Sequence, residues 1–110
     1  MKLLFILFRR ADLTHEQAVA EWSGPGHLSA VKAIPGLKKW VLNWPIRVPK
    51  DGDADGVAEL WFDSTEAVDR AMRSPEMAAA VADGRRFLDP QRTHSLVVEE
   101  KTLIGQEIGA

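Results

Sequence analysis

Apolar positions along this chain fall into two rhythms, and the places where one gives way to the other mark the elements. Leu3 to Arg9 begins as a continuous apolar run rich in Leu, Phe and Ile, closed at once by charge, and reads as a buried strand. Ala11-Asp12-Leu13 is a turn, and Thr14-His15-Glu16-Gln17 fits a capping box. Ala18, Val19 and Trp22 follow at helical spacing, and Leu28, Val31 and Ile34 resume it after Gly24-Pro25-Gly26. Pro35-Gly36 ends this stretch. In the middle of one continuous helix a proline would cost about 3 kcal/mol and a glycine about 1. The tripeptide is therefore read as a break that fits a neighbouring layer or aims His27.

From Leu37 to Val48 the period shortens to two, with Trp40, Leu42 and Trp44 on one face and Lys39, Val41 and Asn43 on the other. Pro45 and Pro49 place the far half of this strand at an edge or outside the sheet. A polar loop runs from Lys50 to Gly56. Val57 to Asp63 is the third strand, with Val57, Glu59 and Trp61 on one side and Ala58, Leu60 and Phe62 on the other. Ser64 caps a helix whose stripe is Val68, Ala71 and Met72. Ser74-Pro75 then starts another, carried by Met77, Ala80, Val81, Gly84 and Phe87. Thr93 to Leu103 is the last strand, and residues 105–110 form a polar tail beyond a domain of residues 1–104.

Strand, helix, strand, strand, helix pair, strand is the βαββαβ, ferredoxin-like order of an α+β fold: a four-stranded antiparallel sheet with its helices on one face. The other face then lacks cover within the chain, and the Trp40, Leu42, Trp44 row is assigned to it. A face of that kind calls for a homodimer in which two sheets close over an apolar cavity.

Composition narrows the function. Fourteen basic and sixteen acidic residues give a net charge of −2 with no basic cluster, which argues against nucleic acid. There is no cysteine, so thiolate ligands and a Cys nucleophile are excluded. The acidic loop from Lys50 to Gly56 lacks the closing glutamate of a calcium loop, and no metal site is assigned. The apolar start is too short for a signal sequence and no stretch suits a membrane span, so a cytoplasmic protein is expected.

Four motifs in order resemble the EthD family of dimeric α/β barrels. They are Phe8-Arg9-Arg10 with Leu13-Thr14, and Trp22 and His27 followed by Ile34-Pro35-Gly36-Leu37. Next come Glu59-Leu60-Trp61-Phe62-Asp63-Ser64, and Ser74-Pro75-Glu76 leading to Asp83, Phe87 and Glu99-Glu100. The resemblance implies a ferredoxin-like protomer, a homodimer and a pocket, free of cofactor, for a hydrophobic or aromatic small molecule. In methylmuconolactone methylisomerase, a relative in kind, the active-site histidine falls where His27 stands. The active-site tyrosine and cysteine of that enzyme fall at Trp40 and Leu60.

His27 is thus the candidate acid/base, against the alternative of a histidine that merely caps a broken helix. Glu59, mid-strand among apolar neighbours, either orients His27 or pairs with a cation across the sheet. Trp40, Trp44 and Trp61 are candidate ligand-binding aromatics or plain core, and Asp83 is a candidate at the pocket mouth or a solvated helix residue. Arg9 and Arg10 pair with Glu99 and Glu100 or meet an acidic substrate. His15 is read as exposed, and His94 as an inert edge residue. Two functions follow: a cofactor-free isomerase, cyclase or dehydratase using His27, or a non-catalytic binding or accessory subunit of a catabolic or oxygenase pathway.

Overall fold

The computed structural model describes residues 1–105, so the tail assigned to 105–110 lies, from residue 106 on, outside the described residues. Strand β1 spans Lys2–Leu7, β2 Lys39–Asn43, β3 Gly56–Trp61 and β4 His94–Val98. They form one antiparallel sheet in the order β2-β3-β1-β4. Helices α1 (His15–Trp22) and α2 (Pro25–Lys32) lie between β1 and β2, while α3 (Thr65–Met72) and α4 (Pro75–Gly84) lie between β3 and β4. This is the ferredoxin-like order. No described helix is long and apolar enough to cross a membrane.

Local chemistry accounts for the helix ends. Thr14 Oγ1 accepts from the Gln17 amide at 3.1 Å while Gln17 Oε1 accepts from the Thr14 amide at 2.9 Å, a reciprocal capping box. Ser64 and Ser74 cap α3 and α4 in the same way, each accepting from the amide three residues on. The stretch around Gly24-Pro25-Gly26 differs from the single broken helix expected. It holds two separate helices. Ser23 closes α1 through its amide and hydroxyl on the Val19 carbonyl, at 3.0 and 2.7 Å, and Gly24 is the N-cap of α2. Pro25 occupies the first turn of α2, where its missing N–H costs nothing, so the penalty for an interior proline never arises.

The strands are also shorter than the periodicity suggested. β2 ends at Asn43, before Pro45, at the edge of the sheet, and β4 stops at Val98. The buried inner face carries Leu3, Leu7, Ala58 and Leu60, packed against Trp22, Val31, Val68, Met77 and Phe87 of the helical layer and the segment after α4. At the entrance to β3, a Cβ on Gly56 would come within 2.0 Å of the Trp22 ring and 2.7 Å of the Asn43 carbonyl oxygen. Only glycine fits there.

The face assignment of β2 is corrected by the register. Trp40 pairs with Leu60 and Leu42 with Ala58, so both point under the helices rather than to the uncovered face. Trp44 lies past the end of the strand, 47% exposed and edge-on to Trp22 at 6.5 Å. Alternation separates two faces without naming the inner one, and the aromatic row was placed on the wrong one. The uncovered face is built instead from Leu4, Ile6, Val57, Trp61, Leu96 and Val98, with Lys2, Asn43 and Glu59 at polar positions.

Two further expectations change. His15 is buried on Asp55 at 2.8 Å, not exposed. Arg9 pairs with Asp55 and Asp51, and Arg10 with Asp12, rather than with Glu99 or Glu100. Glu100 meets Lys2 instead.

Candidate active site

A cavity lies within the chain, between the inner face of the sheet and helices α2 and α4. Its volume is about 240 Å³, and its walls are mainly apolar, with Trp40 and Leu60 on the sheet side and Val31, Met77 and Ala80 on the helical side. The lining residues that are exposed, among them Val81, Arg85, Pro90 and Ser95, set its mouth between α4 and β4.

His27 stands in the first turn of α2 and lines this cavity. The start of α2 at Pro25 fixes its place, because the short link after α1 brings the new helix against α4. Its ring meets Phe87 edge-on at 5.1 Å and Trp40 at 6.0 Å. Nδ1 lies 2.9 Å from Asp83 Oδ2. An ionised carboxylate only accepts, so Nδ1 carries the hydrogen, and in the neutral ring Nε2 keeps the lone pair. Among the described residues Nε2 has no hydrogen-bond partner.

Asp83 is held in turn by Arg86, whose Nε donates to Oδ1 at 2.8 Å and whose Nη2 donates to Oδ2 at 3.2 Å. Arg86 Nη1 reaches Glu21 Oε2 of α1 at 2.7 Å. The Arg86 guanidinium, followed by the His27 hydrogen bond, holds the Asp83 carboxyl below its ordinary value against the opposing pull of burial. Asp83 and, beyond it, Glu21 raise the pKa of Arg86. The result is a carboxylate–imidazole pair on the wall of an apolar cavity, with the hydrogen held on Nδ1 and Nε2 unpaired among the described residues, an arrangement suited to moving a proton.

The other candidates divide between the two faces of the sheet. Trp40 lines the cavity beside His27, and Leu60 faces it as well. Trp61 is on the uncovered face, with the Lys2 and Lys39 ammonium groups 5.1 and 4.9 Å from its ring centre. Glu59 shares that face. It accepts from Lys2 Nζ at 2.9 Å and Asn43 Nδ2 at 2.9 Å, which hold its carboxyl below the ordinary value, Lys2 foremost. It therefore does not reach His27; the cross-sheet ion pair is the reading realised, and Asp83 takes the orienting position. Trp44 touches Trp22 at the rim of the core and does not line the cavity.

Sequence reasoning missed Arg86 and Glu21 as supports of Asp83. The spacing of Asp83 and Arg86, one helical turn apart, was the signal for one contact; Glu21, 65 residues from Arg86, gave none. The Arg9–Asp55–His15 cluster was missed too, although no described group of acidic and histidine side chains has the makings of a metal site.

Comparison with known proteins bears on the family and the fold. A family model described as the EthD domain matches residues 10–91. An ethyl tert-butyl ether d (EthD) family protein of Bacillus halodurans is 24% identical, with a TM-score of 0.72 over 91% of this chain and 97% of that one. A dimeric protein of ferredoxin-like fold from Bacteroides fragilis is 15% identical, with a TM-score of 0.62 over 86% and 90%. SnoaB, a cofactor-independent oxygenase from Streptomyces nogalater, is 16% identical, with a TM-score of 0.57 over 93% and 96%. Comparison with curated proteins found no match.

Proposed function

The chain belongs to the EthD family, and from that premise we propose that it is a cofactor-independent enzyme of the isomerase, cyclase or dehydratase type. Its substrate is a small hydrophobic or aromatic metabolite held in the cavity under the helices. His27 Nε2 removes a proton from a carbon beside a carbonyl and, as the imidazolium, returns it at another position. Asp83 keeps the ring in the required tautomer and stabilises the imidazolium while it exists. Trp40 and Phe87 confine the ring, and the apolar walls keep water from competing for the proton.

The observation that carries this reading is the 2.9 Å contact of His27 with Asp83 at the wall of an apolar cavity. A binding protein needs no such backed imidazole. The test is proton–deuterium exchange from D2O into a panel of enolisable cyclic ketones and lactones. The wild type should exchange at least one of them, and His27→Gln should lose about 10² to 10⁴ in rate while remaining folded. Exchange that survives the substitution, or a wild type that binds ring compounds and exchanges none, favours the non-catalytic binding subunit.

The uncovered sheet face supports a homodimer, as in the dimeric ferredoxin-like protein of similar fold. Leu4, Ile6, Val57, Trp61, Leu96 and Val98 give it an apolar surface that a second copy would cover. Sedimentation should show a dimer at micromolar concentration. Leu96→Glu, at a residue already 51% exposed in the protomer, should turn it into a folded monomer.

A further inference from the structure

The mouth of the cavity differs in chemistry from its interior. Arg85 is the one side chain of permanent charge among the lining residues, and it stands on the α4 lip. Its neighbour Arg86 spends its guanidinium on Asp83 and Glu21. Arg85 makes no side-chain hydrogen bond or ion pair among the described residues, and it is exposed. Ser95 stands on the opposite lip, in β4, exposed and with its hydroxyl likewise unpaired among the described residues. Of the other polar groups there, Thr93 Oγ1 accepts from the Phe8 amide at 3.2 Å, and His94 Nδ1 lies 2.9 Å from the Arg92 carbonyl oxygen.

An apolar chamber with an unspent cation on one lip and an unspent hydroxyl on the other is matched by a ligand with an apolar ring and an acidic end. Gly84 links the two ends of the site. It precedes Arg85, and a Cβ on it would be in ordinary contact range of His27, 4.0 Å from Cε1; His27 and Arg85 line the same cavity.

We propose that the ligand is a small cyclic carboxylic acid, its ring in the cavity beside His27 and its carboxylate at the mouth on Arg85, with Ser95 as a second donor. This inference rests on the cavity being the ligand site, and it adds the charge of the ligand and the residue that selects it. Guanidinium and carboxylate pair by charge-assisted, often bidentate hydrogen bonds, a geometry that a neutral amide does not reproduce.

The test uses two one-ring probes of equal shape, 4-isopropylbenzoate and 4-isopropylbenzamide, titrated calorimetrically into the full-length protein at low salt. The acid should bind the wild type about tenfold more tightly than the amide, as one charge-assisted contact allows, and the gap should narrow as salt is raised. Arg85→Gln should bring the two affinities together by weakening the acid alone, and Arg85→Lys should restore part of the gap. Equal binding of the probes to the wild type, a preference that survives Arg85→Gln, or no binding of either probe would overturn the proposal. His27→Gln separates this result from the catalytic reading. It should keep the preference for the acid, whatever it does to proton exchange.

Discussion

His15 with Asp55 and His27 with Asp83 are nearly the same pair built twice. In each, a buried histidine in the first turn of a helix places Nδ1 on an aspartate oxygen, at 2.8 and 2.9 Å respectively. Their surroundings differ. Asp55 is 1% exposed and also takes the Arg9 amide at 2.8 Å and the Arg9 guanidinium at 3.0 Å. Its own amide donates to the Leu7 carbonyl at 2.7 Å. One carboxylate thus ties the end of β1, the start of α1 and the approach to β3. Asp83 keeps a quarter of its side chain in solvent, and its histidine lines the cavity. The same pair is a staple where protein surrounds it and, on the function proposed above, a proton-transfer device where the ring borders a void.

Substituting the two histidines in parallel should give the widest separation. His27→Gln should cost about 10² to 10⁴ in deuterium exchange with little change in unfolding midpoint, whereas His15→Gln should lower the midpoint and leave exchange unchanged. Equal effects of the two on exchange would erase the distinction.

The aspartates sharpen it through stability. Asp55→Ala strands the buried His15 and takes from the half-buried Arg9 its main partner, and should cost about 3 kcal/mol, the low end for removal of one member of a buried pair. Asp83→Ala removes a partly exposed carboxylate and should cost about 1 kcal/mol or less. Urea unfolding of the two variants measures both. A loss in Asp83→Ala as large as in Asp55→Ala would mean that both pairs are structural.

This contrast was only half legible in the sequence. The elements were readable because their signals are local: the Thr14–Gln17 box, the serine caps and the Ser74-Pro75 start all appear as expected. His27 and Asp83 were both singled out, yet Glu59 stayed open between orienting His27 and pairing with a cation across the sheet, because its place between apolar neighbours fits either. The register puts it on the opposite face, where Lys2 satisfies it. His15 was read as exposed because its partner is 40 residues away, at the end of a loop that looked uniformly polar. Which face of a strand turns inward, and which distant acid meets a histidine, depend on packing that no short window contains.

Acid should also act unequally on the pairs. Burial pulls the Asp55 carboxyl up, but the Arg9 amide, His15 and the Arg9 guanidinium outweigh it, leaving it below its ordinary value of 3.8. The folded protein therefore holds the ionised form more firmly than the unfolded chain does. That stability is complete above the unfolded value and drains away as pH falls through the lower folded value. Asp83 is also lowered, with the same sign, but solvent screens it. Unfolding followed below pH 4 should accordingly lose more of its pH dependence in Asp55→Asn than in Asp83→Asn. The reverse order would make the Asp83 pair the main acid-labile staple.

The smallest effect is expected one residue further out, at Arg86. Its guanidinium touches both oxygens of Asp83 and is fixed on its far side by Glu21, so it decides which way the carboxylate faces without reaching His27 through a hydrogen bond. The contacts are largely exposed, and Arg86→Gln should leave unfolding almost unchanged, since exposed pairs contribute about 0–1 kcal/mol. Its consequence should appear in the ring: once free to rotate, Asp83 no longer enforces hydrogen on Nδ1. The 15N shifts of His27 should then move from one neutral tautomer toward a mixture, and exchange should fall by about tenfold, the cost of roughly 1.4 kcal/mol of lost positioning. Glu21→Gln should show the same displacement, weaker. If the tautomer stays fixed in Arg86→Gln while stability drops, Arg86 belongs with the staple around Asp55, a cross-link between helices and no part of the device at the cavity.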